Sequence, residues 1–162
     1  MPNSNVDRGK RTELQACREL ERVLGLDKDT VERRVAEGTR SDPGDLIGLD
    51  NLTIQVSAVP KTPAAIWARA REKAKACTVQ QERRGNQHGL TLLRIDGGTW
   101  RAVLTTPQFE ALGAWHEPCT DWQITPGLVV HHGPEFVRGW LVVGCGLHVA
   151  TIERWARDWQ NL

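Results

Sequence analysis

The 162-residue sequence has no apolar run long enough to cross a bilayer, and its first ten residues, MPNSNVDRGK, lack the apolar core of a secretory signal. A cytoplasmic protein without a membrane partner is therefore expected. Cysteine is sparse, at positions 17, 77, 119 and 145. That scatter excludes the dense spacing of a small disulfide scaffold and leaves reduced thiols as the expectation. No Gly-rich phosphate loop and no nucleophile elbow occurs, which removes the two hydrolase classes built on those motifs. A net charge of +1 is too small an excess to point to nucleic acid by itself.

What is present is ordinary in amount and uneven in distribution. Hydrophobic residues make up 40% and charged residues 25%, enough for one globular domain or one domain with a small appendage. Between Lys61 and Arg84 seven basic residues face two acids, an excess of five. From Glu110 to the end six acids face three arginines. A basic middle can serve as a phosphate-binding face, or simply as a solvated helix surface.

Residues 1–7 are polar and read as disordered. Leu14, Cys17, Leu20 and Leu24 recur at helical spacing, so a helix is expected over 12–24, ended by Gly25. Glu13 sits at the edge of that stripe, where its carboxylate can face a cleft between helix and sheet. Val31 and Val35, four apart, with Gly38 as a stop, suggest a short helix over 27–38. Asp42-Pro43-Gly44-Asp45 is a turn signal, and Asp50-Asn51 a second one. Leu52, Ile54 and Val56 then alternate with Thr53, Gln55 and Ser57, the period of a half-buried strand that sends Gln55 and Ser57 to one side.

Thr62-Pro63 opens a helix expected to reach about Cys77, with Ile66, Ala70, Ala74 and Cys77 inward and Arg69, Arg71, Lys73 and Lys75 outward. QQERRGNQHG, from Gln80 to Gly89, reads as a polar loop. Strands follow at 90–95 and 100–105, then a helix from Thr106-Pro107 to about Ala114. The tail offers an apolar stretch at 128–130, a strand-like stretch at 136–143 and a helix over 151–159. Five of the seven tryptophans fall in it, as core-closing rings or as platforms for single-stranded bases.

The spacing of Asp45, Gln55 and Ser57, together with GTRSDPGDLIGLDNLTIQV and the upstream Arg8-Gly9-Lys10-Arg11-Thr12-Glu13, resembles the PD-(D/E)XK nucleases, in particular their Holliday-junction-resolvase branch. The resemblance covers roughly residues 8–112. It implies a strand over 30–35 instead of the short helix over 27–38, and the strand is preferred. It implies an α/β fold with a mixed central sheet flanked by helices, of restriction-endonuclease type, over 8–114, leaving 115–162 as a Trp-rich C-terminal α+β extension. It implies Mg²⁺- or Mn²⁺-dependent hydrolysis of branched or duplex DNA, and a homodimer, because a four-way junction is twofold symmetric. Glu13, Asp45, Gln55, Ser57 and Lys61 are its catalytic candidates, with Glu13, Asp45 and Gln55 around the metal. Arg8, Lys10, Arg11, Arg33, Arg34, Arg40, Arg69 and Lys73 are the candidates for DNA contact. The chain departs from the pattern at two positions: Gln55 stands where the family has an acid and Ser57 where it has lysine. Lys61, Lys73 or Lys75 could stand in for that lysine, or the protein binds nucleic acid without cutting it. A module that docks a protein partner through its Trp-rich tail is the competing class.

Separately, His116, Cys119, Cys145 and His148 form two pairs with the gap typical of zinc ligands, a candidate structural Zn²⁺ site.

Overall fold

The computed structural model describes residues 4–33, 46–59, 63–95, 99–114, 140–143 and 146–162. Among them the chain forms α1 (Ser4–Leu24), β1 (Glu32–Arg33), β2 (Leu46–Ile47), β3 (Leu52–Ala58), α2 (Pro63–Arg84), β4 (His88–Ile95), β5 (Thr99–Thr105), α3 (Thr106–Leu112), β6 (Leu141–Val143), β7 (Leu147–Thr151) and α4 (Ile152–Gln160). The seven strands make one mixed sheet in the order β1-β2-β3-β4-β5-β7-β6. β3 and β4 are parallel, joined through α2, and every other neighbouring pair is antiparallel. The expected α/β class with a mixed central sheet is therefore observed.

α1 starts at Ser4, so residues 4–7, expected to be disordered, are helical. Its buried stripe is Thr12, Ala16, Cys17, Leu20, Glu21 and Leu24, whereas Leu14 is half exposed. The expected stripe holds at Cys17, Leu20 and Leu24 and fails at Leu14, which lies about 160° around the helix from Ala16.

β3 is buried along its length rather than on one side. The register puts Thr53, Gln55 and Ser57 on the same face as Gly89, Thr91 and Leu93. α2 covers that face: a β-carbon at Gly89 would run into Gln81 of α2 and Gln108 of α3. The opposite face carries Leu52, Ile54, Val56, Leu90 and Leu92 into the main core with α1. A central strand with helices on both sides loses the alternating burial of a surface strand, although its sequence still alternates.

α2 runs to Arg84, well past Cys77, and absorbs the first half of the stretch expected to be a polar loop. Its inward residues Ile66, Ala70, Ala74 and Cys77 are buried as expected. Thr105 caps α3 in a capping box with Gln108.

The described part of the tail joins the same sheet. β7 pairs with β5, and α4 packs on α1, where Gln160 Nε2 donates to the Leu24 carbonyl at 3.2 Å. Of the strand expected over 136–143, residues 141–143 are observed as β6 and 136–139 lie outside the described residues; β7 matches no element expected from the sequence. Trp140 and Trp155 are fully buried, with Trp155 stacked on Trp159, so these rings close the core. No helix among the described residues is long and apolar enough to cross a membrane.

Candidate functional site

α1 and α2 both begin beside the carboxyl end of β3 and run back along it. Between their N-terminal halves lies an open pocket of about 530 Å³, lined by Arg8, Gly9, Thr12 and Glu13 of α1, residues 56–59, and Arg69 and Lys73 of α2. The carboxyl ends of strands are where open α/β sheets offer ligands a crevice, because backbone and helix ends converge there.

Helical spacing explains the lining. Arg8 and Thr12 are four residues apart, as are Gly9 and Glu13, and as are Arg69 and Lys73 on α2. Arg71 and Lys75 alternate with that last pair and are exposed away from the pocket. Thr12 spends its hydroxyl on the Arg8 carbonyl at 2.9 Å, which holds the first turns of α1 together.

Glu13 forms an ion pair with Arg33 of β1, each side chain about a quarter exposed. Arg69 comes no closer than 4.0 Å to Glu72, an exposed neighbour on its own helix. The pocket thus gathers Arg8, Arg69 and Lys73 around one described carboxylate that already has a cation. Ser57 lies at its inner wall, its hydroxyl donating to the Ala58 carbonyl at 3.1 Å.

Gln55 does not line the pocket. Its side chain is completely buried, and among the described residues neither its amide nitrogen nor its amide oxygen has a hydrogen-bond partner. Thr91, its register partner on β4, also has a buried hydroxyl without one among those residues. Gln55 and Ser57 share a strand face, yet only Ser57, nearer the strand's end, reaches the opening.

Of the sequence candidates, Arg8, Glu13, Ser57, Arg69 and Lys73 meet at the pocket, and Arg33 touches it through Glu13. Lys10 and Arg11 are exposed on α1 and do not line it. Lys73, not Lys75, is the α2 lysine that faces it. Arg34, Arg40, Asp45 and Lys61 lie outside the described residues. So do His116, Cys119 and Cys145. The fourth zinc candidate, His148, sits in β7 with Nε2 3.1 Å from the Thr106 hydroxyl and its ring stacked on Phe109 at 4.2 Å.

A hard divalent cation wants several oxygen ligands, with carboxylate among them. Glu13, engaged by Arg33, and a sealed Gln55 do not make such a set, and the described residues contain no group of three or more acids, histidines or cysteines placed to hold a metal. Nor is Cys17 an activated thiol. Burial, helped by the Glu21 charge, pushes the Cys17 thiol up to about 11 and keeps it protonated. What the described pocket can do is hold an anion.

Gly9 and Thr12 were missed as pocket residues; their spacing from Arg8 and Glu13 on one helix face was the signal available. No family model, curated protein or solved structure matches the chain.

Proposed function

We propose that the protein binds DNA, with the pocket at the carboxyl end of β3 seating backbone phosphate, on a scaffold of the Holliday-junction-resolvase type. The observation that carries this is the convergence of Arg8, Arg69 and Lys73, from two different helices, on one open cleft whose described carboxylate is already paired. Phosphate oxygens accept from guanidinium and ammonium groups in such a setting, and contacts of this kind supply affinity without reading sequence. The order helix, strands, helix, strands, helix in one mixed sheet is the layout that the resemblance to PD-(D/E)XK nucleases implies, and it supports the restriction-endonuclease-like reading of the fold. Two copies acting on one twofold-symmetric junction belong to the same proposal.

The test is fluorescence anisotropy of a labelled four-way junction, and of a duplex of equal length, across a salt series. Arg69→Glu combined with Lys73→Glu weakens junction binding by about tenfold or more and flattens the dependence of log affinity on log salt by about two counterions. Absence of salt-sensitive binding by the parent protein, or equal binding by the double variant, sinks the proposal.

One further observation favours adding hydrolysis. Leu46 pairs with Ile54, so the chain neighbours of Asp45 and Gln55 are partners in the β2–β3 ladder. On the hydrolytic reading, Mg²⁺ or Mn²⁺ promotes junction cutting and Asp45→Ala abolishes it. A parent protein that binds the junction but cuts nothing with either ion is a binding module only.

A further inference from the structure

Every described glycine except one has a reason within the protein. Gly25, Gly48, Gly85, Gly113 and Gly146 adopt positive φ, which disfavours any side chain. Gly89 has ordinary φ, but Gln108 and Gln81 occupy the space a β-carbon would need. Gly9 has neither excuse. It lies in the second turn of α1, in helical conformation, and a β-carbon there would meet nothing within 4 Å.

A glycine in a helix interior weakens the helix relative to alanine, because its backbone has more freedom to lose. Here the protein gains no room and no unusual backbone angle in return. The residue instead lines the cationic pocket, one position from Arg8 and four from Glu13. Where the fold leaves space empty beside three cations, the space serves something that arrives from outside.

We infer that Gly9 is a clearance residue for the ligand: the sugar-phosphate backbone passes against the bare α1 backbone at Gly9 on its way between Arg8 and the Arg69–Lys73 pair. The inference rests on the phosphate-binding role proposed for this pocket and adds the side from which the strand approaches. A methyl group at position 9 then narrows the passage, and a longer side chain blocks it. The cations stay in place in either case.

Alanine and methionine are both good helix formers, so Gly9→Ala and Gly9→Met separate the two roles a glycine can have. Thermal unfolding and junction anisotropy are measured on the full chain for each. The expected result is a melting temperature equal to or above the parent's for both variants, with junction affinity down several-fold for alanine and by about tenfold or more for methionine. Unchanged affinity in both overturns the inference. A loss of affinity accompanied by a lower melting temperature overturns it too, since the glycine would then be serving the fold. Arg69→Glu with Lys73→Glu is the control. If that variant binds normally, the phosphate pocket itself is wrong; if it fails to bind while Gly9→Met binds normally, only the clearance role is lost.

Discussion

Gln55 stands at the position where the resemblance calls for an acid, and its surroundings show what an acid would face there. Its amide is buried under the helix layer over β3, with no hydrogen-bond partner among the described residues. A neutral amide tolerates that at a cost of a few kcal/mol at most, whereas an unpaired carboxylate does not. Gln55→Glu is expected to lower unfolding free energy by at least about 2 kcal/mol at neutral pH. Desolvation would raise the new carboxyl's pKa in the folded state. The penalty is therefore full above that raised value and shrinks as the pH falls toward the ordinary glutamate value of about 4.3. Denaturant melts of the parent and variant at several pH values check this, and a variant as stable as the parent at neutral pH would show that position 55 has access to a cation or to water.

Glu21 is the opposite case, a buried acid with partners. Burial alone would raise its pKa, but the Val31 N–H at 3.1 Å and the Arg18 guanidinium at 3.0 Å outweigh it, and the net shift is downward. A lowered folded pKa means that the carboxylate's stabilisation is present above the ordinary glutamate value and is lost as pH falls through the folded one. Glu21→Gln should cost about 1–2 kcal/mol at neutral pH, and the gap between parent and variant should close in acid. None of this was legible in the sequence, where Glu21 was one charge among several on α1. Its bond to Val31 depends on where the chain turns back after Leu24, a long-range fact.

At the scale of elements, the parts of the fold written in local pattern were readable. The inward stripe of α2, the strand at 52–58 and the opening of α3 at Thr106-Pro107 all follow from short-range periodicity and capping. The parts decided by neighbours were not. The polar Gln80–Arg84 stretch is helical because α2 continues along the sheet, with Gln80 buried and Gln81 accepting from Gln108 Nε2 at 2.9 Å. β7 was hidden because Leu147–Thr151 is short and gains its strand identity from pairing with β5. The pocket was half legible: Arg8, Glu13, Ser57, Arg69 and Lys73 could be named from motif and charge. The sealing of Gln55 could not, because it depends on the helix laid over β3.

For the whole molecule, the position of the tail matters most. Trp140, Trp155 and Ile152 are each no more than 2% exposed and belong to the same core as the strands of the first hundred residues. A chain ended after Val143 lacks β7 and α4, leaving the β5 edge bare and the α1 surface uncovered. Such a truncation should lose cooperative unfolding and aggregate, as read by calorimetry and light scattering. A soluble fragment with a sharp melt would instead mark residues after 143 as an independent appendage. The inward packing of the described tryptophans also leaves less of the tail to act as an apolar docking surface, which weakens the partner-docking alternative.

β7 lies between β5 and β6, so the strand made last is inserted between two made earlier. While the chain emerges from the ribosome, β6 has no route into the sheet, because the strand that bridges it to β5 is still in the exit tunnel. Completion of the sheet must wait until β7 has left the tunnel. A chain stalled before β7 emerges therefore presents an unfinished β5 edge.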